Sequence, residues 1–199
     1  MNIHPTNVDP ADLAGVDEAG RGPLAGPVAA AAVILDPDRM PAGLTDSKAL
    51  TVAERERLFP EILARARVGL AFASAEEIGR LNIRGATLLA MARAIARLSP
   101  APTLALIDGR DVPPTSVPAR AIIGGDASEP AIGAASIVAK VARDRLLMRL
   151  DTRWPGYGLA GHKGYPTEAH REALARLGPC PEHRRGFAPV EEAYRALES

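Results

Sequence analysis

Residues 13–17 and 27–35 are short, almost wholly apolar and separated by a Gly/Pro-rich stretch, the pattern of two buried strands joined by a turn. Residues 68–73, 103–108 and 119–123 repeat that pattern further along. Between them the spacing changes. Thr51 with Glu54, and Ser74 with Glu77, have the separation of capping boxes, in which each residue of the pair satisfies an orphan N–H of the other. The first predicts a helix to about residue 67 with a kink at Pro60, and the second a short helix. Leu88, Met91, Ile95 and Leu98 recur at steps of three, four and three, so a longer helix buries that face and stops at Ser99 and Pro100. Pro130 suits the first turn of a long helix reaching about residue 150. Ser136, Lys140 and Asp144 share one face of it, with Ile137, Val141 and Leu147 opposite. Beyond residue 156 the pattern breaks into short helices over 167–177 and 189–197.

Three strands in succession, then two that alternate with helices, predict an α/β fold: a mixed five-stranded sheet flanked by helices. The chain reads as a single domain over 1–199, with a core over about 12–150 and a helical C-terminal appendage over about 151–199. Its 199 residues fit one domain on a prior of roughly 100–200 residues each. Lys and Arg (24) balance Asp and Glu (24), which excludes a polybasic coat, and 47% hydrophobic content excludes a disordered tail. Aromatics are 4%, too few for broad base-stacking platforms. One cysteine and four histidines rule out an internal disulfide and a zinc site of the usual spacing. With no leader or membrane-length apolar run, the expectation is a cytoplasmic monomer with no membrane association.

The chemistry lies where acids meet strand ends. Asp17, Glu18, Asp108 and Asp126 all fall at the C-terminal ends of predicted strands, the edge at which open α/β sheets bind ligands. Adjacent strand residues point to opposite faces, so Asp17 and Glu18 can serve one site only if the strand gives way to the glycine turn there. Carboxylates converging on one pocket repel one another until divalent cations neutralise them, and an all-oxygen donor set favours magnesium or manganese over zinc. Two such ions about 4 Å apart suit phosphodiester hydrolysis. A single Asp-Gly is an ordinary turn, so four acids strengthen the reading without deciding it. The glycines from Gly20 to Gly26 match neither a dinucleotide fingerprint nor a P-loop, and the carboxylates before them would repel a pyrophosphate.

Five motifs carry a resemblance: Val16-Asp-Glu-Ala-Gly-Arg-Gly-Pro23, Asp46-Ser-Lys48, Ile107-Asp-Gly109, Ala134-Ala-Ser-Ile-Val-Ala-Lys-Val141 followed by Arg143-Asp144, and His162-Lys-Gly-Tyr-Pro166. In this order, over about residues 14–190, they resemble the bacterial ribonuclease HII family. The resemblance implies a ribonuclease H-like fold and a metal-dependent endoribonuclease. Its action would be on the RNA strand of RNA–DNA hybrids and 5′ of single ribonucleotides embedded in duplex DNA, leaving 3′-hydroxyl and 5′-phosphate ends. It further implies a part in DNA repair and replication, with Mg²⁺ or Mn²⁺, two ions with substrate bound, as cofactor. Asp17, Glu18, Asp108 and Asp126 match the family's metal-binding acids, with Asp17 bridging the ions. Gly20, Arg21 and Gly22 match the turn that senses the ribose 2′-hydroxyl and its phosphate. Tyr165 matches the ring that stacks on the next, deoxy, sugar. One departure stands before the fourth acid, where Gly124 replaces a usual lysine.

Lys48, Ser136, Lys140, His162 and Lys163 are further candidate substrate contacts, although Asp144, at i, i+4 from Lys140, reads first as its structural ion-pair partner. Residues 162–186 carry five Lys/Arg, three Asp/Glu and three His, a mildly basic patch that could hold the uncleaved DNA strand. Taken singly, Arg171 and His183 read as ordinary solvated surface, and Cys180 as incidental. Ribonuclease HIII is a rival within the resemblance, disfavoured because about fifteen residues before Asp17 leave no room for its N-terminal substrate-binding domain. A non-catalytic binder of hybrid duplexes is a rival of another class, disfavoured because bare carboxylates weaken phosphate binding.

Overall fold

A computed structural model describes residues 9–44 and 50–198. The sheet contains β1 (Leu13–Ala19), β2 (Val28–Leu35), β3 (Ala66–Ala73), β4 (Leu104–Asp108) and β5 (Ala119–Ile122). Their spatial order is β3-β2-β1-β4-β5. β2 pairs antiparallel with both β1 and β3, whereas β1–β4 and β4–β5 are parallel, so the sheet is mixed and β1 lies at its centre.

The helices are α1 (Val52–Arg65), α2 (Ala75–Ala96), α3 (Gly125–Ser128), α4 (Pro130–Arg153), α5 (Leu159–His162), α6 (Glu168–Leu177) and α7 (Ala188–Leu197). Both capping boxes form. α1 continues through Pro60. The short and long helices expected after Ser74 meet at Asn82, whose φ of 56° breaks the helical path. Its side-chain oxygen accepts from the Arg84 and Gly85 N–H groups and so recaps the second half. The four-residue α3 and α5 are too short to leave a periodic trace in the sequence.

Parity along β1 sorts its residues between two cores. Ala14 and Val16 pack with Ile78, Met91 and Ile95 of α2, while Leu13 and Ala19 pack with α1 and α4. The small side chains of α4 bring it close to the sheet, with Ala131 to Ala139 buried throughout. Gly15 is what permits the approach: a Cβ there would fall inside the backbone of Ala131 and Ile132. Gly15→Ala is therefore expected to force α4 off the sheet, at a cost of roughly 1–3 kcal/mol or more. A fall in the midpoint of urea unfolding measures it.

Candidate functional site

β1 stays a strand through Ala19, so Asp17 and Glu18 obey its alternation instead of turning together at the glycines. Asp17 takes the face toward α4, where Ser136 hydrogen-bonds its carboxylate. Glu18 takes the α2 face, in a small cavity of about 80 Å³ that Thr87, Leu88 and Met91 also line. Its carboxylate meets the Arg21 guanidinium at 3.4 Å. Although the backbone alternates there, the two carboxyls still come together at the end of β1, where that of Glu18 hydrogen-bonds that of Asp17.

Asp108 ends β4, the parallel neighbour of β1. Asp126 lies four residues past β5, in the first turn of α3, and not on a strand end as expected. The first N–H of that helix, from Gly125, donates to Asp108 Oδ1 at 2.8 Å and so draws the two acids together. Gly124, in place of the usual lysine, opens α3 with φ of 67°, a left-handed conformation that glycine adopts without strain. Among the described residues, Asp17, Asp108 and Asp126 each offer a carboxylate oxygen within 4.8 Å of the others. Glu18 stands outside that trio, although its charge still acts on Asp17.

The electrostatics follow from burial and crowding. Burial first, then the charges of Glu18 and Asp108, push the Asp17 carboxyl well above its ordinary pKa against the opposing Ser136 and Glu18 N–H bonds. Burial likewise raises Glu18, against the pull of Arg21. Asp17, Asp108 and Asp126, buried or half-buried, form a hard, anionic oxygen set, which fits a divalent cation.

A second cavity, of about 410 Å³, opens beside the acids and is lined by Glu18, Gly20, Arg55, Ser136, Lys140 and Tyr165, with Arg143 behind. The Tyr165 ring packs against the glycine turn: a Cβ on Gly22 would lie 3.6 Å from its Cε1. Arg21 is more than half exposed. Lys140 holds Asp144 at 2.9 Å while still lining the cavity. His162 and Lys163 are engaged elsewhere. The Lys163 ammonium donates to the Ala160 carbonyl, and both ring nitrogens of His162 bond to the backbone of Tyr157 and Gly164. Asp46, Ser47 and Lys48 lie outside the described residues.

Two arginines assigned no role from sequence, one of them part of the fourth motif, sit beneath the turn. Arg143 and Arg184 are 1% and 0% exposed. Arg184 donates to the carbonyls of Gly20, Arg21, Pro23 and Gly26, and Arg143 to those of Ala25, Pro27 and Lys163. The C-terminal part is thus knitted into the site, with a β-bridge from His183 to Ala25. This corrects the reading of residues 162–186: Arg171 is exposed as expected, but His170, His183 and Arg184 face inward and add nothing to a basic surface.

Burial, then the neighbouring His170, pulls His183 down to a pKa of about 4. A histidine depressed when folded contributes stability in full above its unfolded value near 6.5 and loses it as pH falls toward the folded value. Between pH 6.5 and 4 the loss is on the order of 3 kcal/mol. Urea unfolding of His183→Asn should show a flatter pH slope across that window than the wild type does.

The ribonuclease HII family model matches residues 14–190. A curated ribonuclease HII from Maricaulis maris (strain MCS10) is 59% identical over 182 residues, covering 91% of this chain and 84% of that protein. The solved ribonuclease H2 of Pyrococcus horikoshii OT3 superposes with a TM-score of 0.77 at 26% identity, over 94% of this chain and 99% of that one. The ribonuclease HII of Archaeoglobus fulgidus, solved in complex with PCNA, gives 0.75 at 31% identity over 88% and 94%. A Bst ribonuclease HIII shares the fold, with a TM-score of 0.76 at 20% identity over 96% and 72%. Together with an acidic trio at the end of a mixed sheet, these matches establish that the chain belongs to the ribonuclease HII family, metal-dependent endoribonucleases of ribonuclease H activity on RNA–DNA hybrids.

Proposed function

We propose that this enzyme, besides hydrolysing the RNA strand of hybrids, incises duplex DNA on the 5′ side of a single embedded ribonucleotide, leaving 3′-hydroxyl and 5′-phosphate ends. The observation that carries this reading is the placement of Tyr165 beside the glycine turn, in the wall of one cavity with Gly20 and Glu18. A 2′-hydroxyl is what distinguishes RNA from DNA at one position, and a glycine turn lets main-chain groups approach it. A flat ring immediately beside that turn suits a following sugar that lacks the hydroxyl.

Asp17, Asp108 and Asp126 would hold the cations, with Glu18 reaching in from the other face of the sheet, and two ions suit a phosphodiester. When bound, Mg²⁺ or Mn²⁺ supplies charge neutralisation at the scissile phosphate and activation of the attacking water. The chain's own part is to orient and to position. Ser136 fixes the Asp17 carboxylate, and the α3 N–H fixes that of Asp108. Gly20, Arg21 and Gly22 present the turn, and the Arg21 guanidinium, paired with Glu18 but more than half exposed, offers a phosphate contact. Lys140 lines the same cavity and offers a second cation.

The test is a labelled duplex with one ribonucleotide, run beside a uniform hybrid and an all-DNA duplex, with Mg²⁺, with Mn²⁺ or with chelator, and with the cut mapped. A single 5′ incision that needs metal, and none in all-DNA, is expected. Cleavage of the hybrid without cleavage of the lone-ribonucleotide duplex would overturn the reading.

A further inference from the structure

Three imidazoles lie together behind Tyr165, away from the acids. The rings of His162 and His170 stack with centroids 4.2 Å apart and planes 16° from parallel. His170 Nε2 and His183 Nε2 are 3.2 Å apart, and both residues are buried. Their outer partners fix the direction of every bond. The Cys180 N–H donates to His183 Nδ1 at 3.0 Å, which makes His183 Nε2 the protonated nitrogen. That N–H donates to His170 Nε2, so His170 carries its proton on Nδ1 and donates to the Tyr165 carbonyl at 2.9 Å. His162 accepts from the Gly164 N–H at 3.1 Å and donates to the Tyr157 carbonyl at 2.8 Å. All three rings are therefore neutral, and no second direction satisfies the same set of partners.

The series ends on the backbone of the residue whose ring touches the glycine turn. Gly164, one residue earlier, accepts from the Leu24 N–H at 2.8 Å, so the Tyr165 segment is also pinned to the far end of that turn. Among the described residues, the Tyr165 carbonyl also accepts from the Thr167 N–H at 2.8 Å. Losing the imidazole bond leaves the Tyr165 carbonyl held by its local turn alone, and Tyr165 is itself 44% exposed.

We propose that His170, oriented by His183 and backed by the stacked His162, is a positioning residue for Tyr165: its bond to the Tyr165 carbonyl sets the ring against the glycine turn. The inference rests on the reading of Tyr165 as the contact to the sugar after the ribonucleotide. It assigns the buried histidines a part in substrate discrimination without any contact to nucleic acid.

The experiment compares wild type, Tyr165→Ala, His170→Phe, His170→Asn and the double variant Tyr165→Ala/His170→Phe on the lone-ribonucleotide duplex and on the uniform hybrid. His170→Phe keeps a flat ring on His162 and loses the donor. It should lower kcat/KM on the lone-ribonucleotide duplex about tenfold, the worth of one buried hydrogen bond, and leave the hybrid within about twofold. His170→Asn places an amide N–H where Nδ1 stood and should restore most of the loss. In the Tyr165→Ala background His170→Phe should add nothing, because its effect runs through the absent ring. His170→Gln carries the donor one bond too far and gives the same loss should the phenylalanine variant not fold. An additive double variant, or equal losses on both substrates, would overturn the proposal. If Tyr165→Ala itself leaves both substrates untouched, the reading of Tyr165 fails instead, so the two failures are distinguishable.

Discussion

Asp17→Asn is expected to abolish cleavage and, in the absence of metal, to raise the melting temperature. The carboxylate lies on the α4 face with Asp108 and Asp126 around it, and removing its charge takes a ligand from the set that would hold the cations. Loss of charge stabilisation worth several kcal/mol lowers the single-turnover rate by roughly 10³-fold or more. The stability change has the opposite sign for a reason in the pKa. Folding raises the Asp17 pKa, so its stabilising contribution is complete below the unfolded value near 3.9 and is lost as pH rises through the folded value. Ionising Asp17 costs more in the folded protein than in the unfolded chain, because there the charge is buried and crowded by Glu18 and Asp108. Asparagine retains the shape and can still accept from Ser136 or the Glu18 N–H, while the repulsion disappears. For a chain of this size each kcal/mol of relief moves Tm by about 2–4 °C. Thermal melts in chelator should place the variant above wild type at pH 7, with the gap closing as the pH falls. Added Mg²⁺ or Mn²⁺ should raise wild type more than the variant. A variant that cleaves like wild type would remove Asp17 from the chemistry, and one that melts lower in chelator would refute the electrostatic account.

The same contrast between charge and fold explains which features were legible in the sequence. β2 is an unbroken apolar octet because both of its faces are buried, and helices α1 and α2 announce themselves through their capping boxes. The acids were legible as residues, since carboxylates beside Gly at strand ends are conspicuous in an apolar context. Their arrangement was not. Whether Asp17 and Glu18 share a side depends on where β1 stops, and the strand runs two residues past Asp17 because Glu18 and Ala19 still pair with Ala30 and Ala29 of β2. Asp126 rests on a helix of one turn, shorter than any period the sequence could display. The C-terminal part misled for a different reason. Arg and His are normally solvated, and only the topology, which lays residues 183 and 184 across the glycine turn, converts them into buried donors. No local pattern carries that information, because the carbonyls they satisfy lie some 160 positions earlier in the chain.

Arg184→Met is expected to be the most destabilising change beneath the turn. Burial, then the nearby Arg143 cation, pulls the Arg184 pKa down to about 9, so it remains charged at neutral pH. It offsets that cost by donating to four carbonyls at 2.7–3.1 Å. Methionine fills similar space and relieves the desolvation of a cation, but the four acceptors are main-chain oxygens that cannot be removed with it. Each buried acceptor left unsatisfied costs about 1–3 kcal/mol, and the terms are not additive where the loop can relax toward water. A net loss of roughly 3–5 kcal/mol follows, or a fall in Tm of about 10 °C. Arg184→Lys should fall between, since three N–H groups on one atom cannot copy the planar fork. Activity separates this bracing role from mere scaffold. At a temperature where Arg184→Lys is fully folded, loosening of residues 20–26 should raise KM for nucleic acid more than it lowers kcat, because Asp17 and Asp108 are held by Ser136 and α3 instead. A melting temperature unchanged in Arg184→Met would mean that the turn stands without its guanidinium, and the C-terminal part would then be cover for the site and not its foundation.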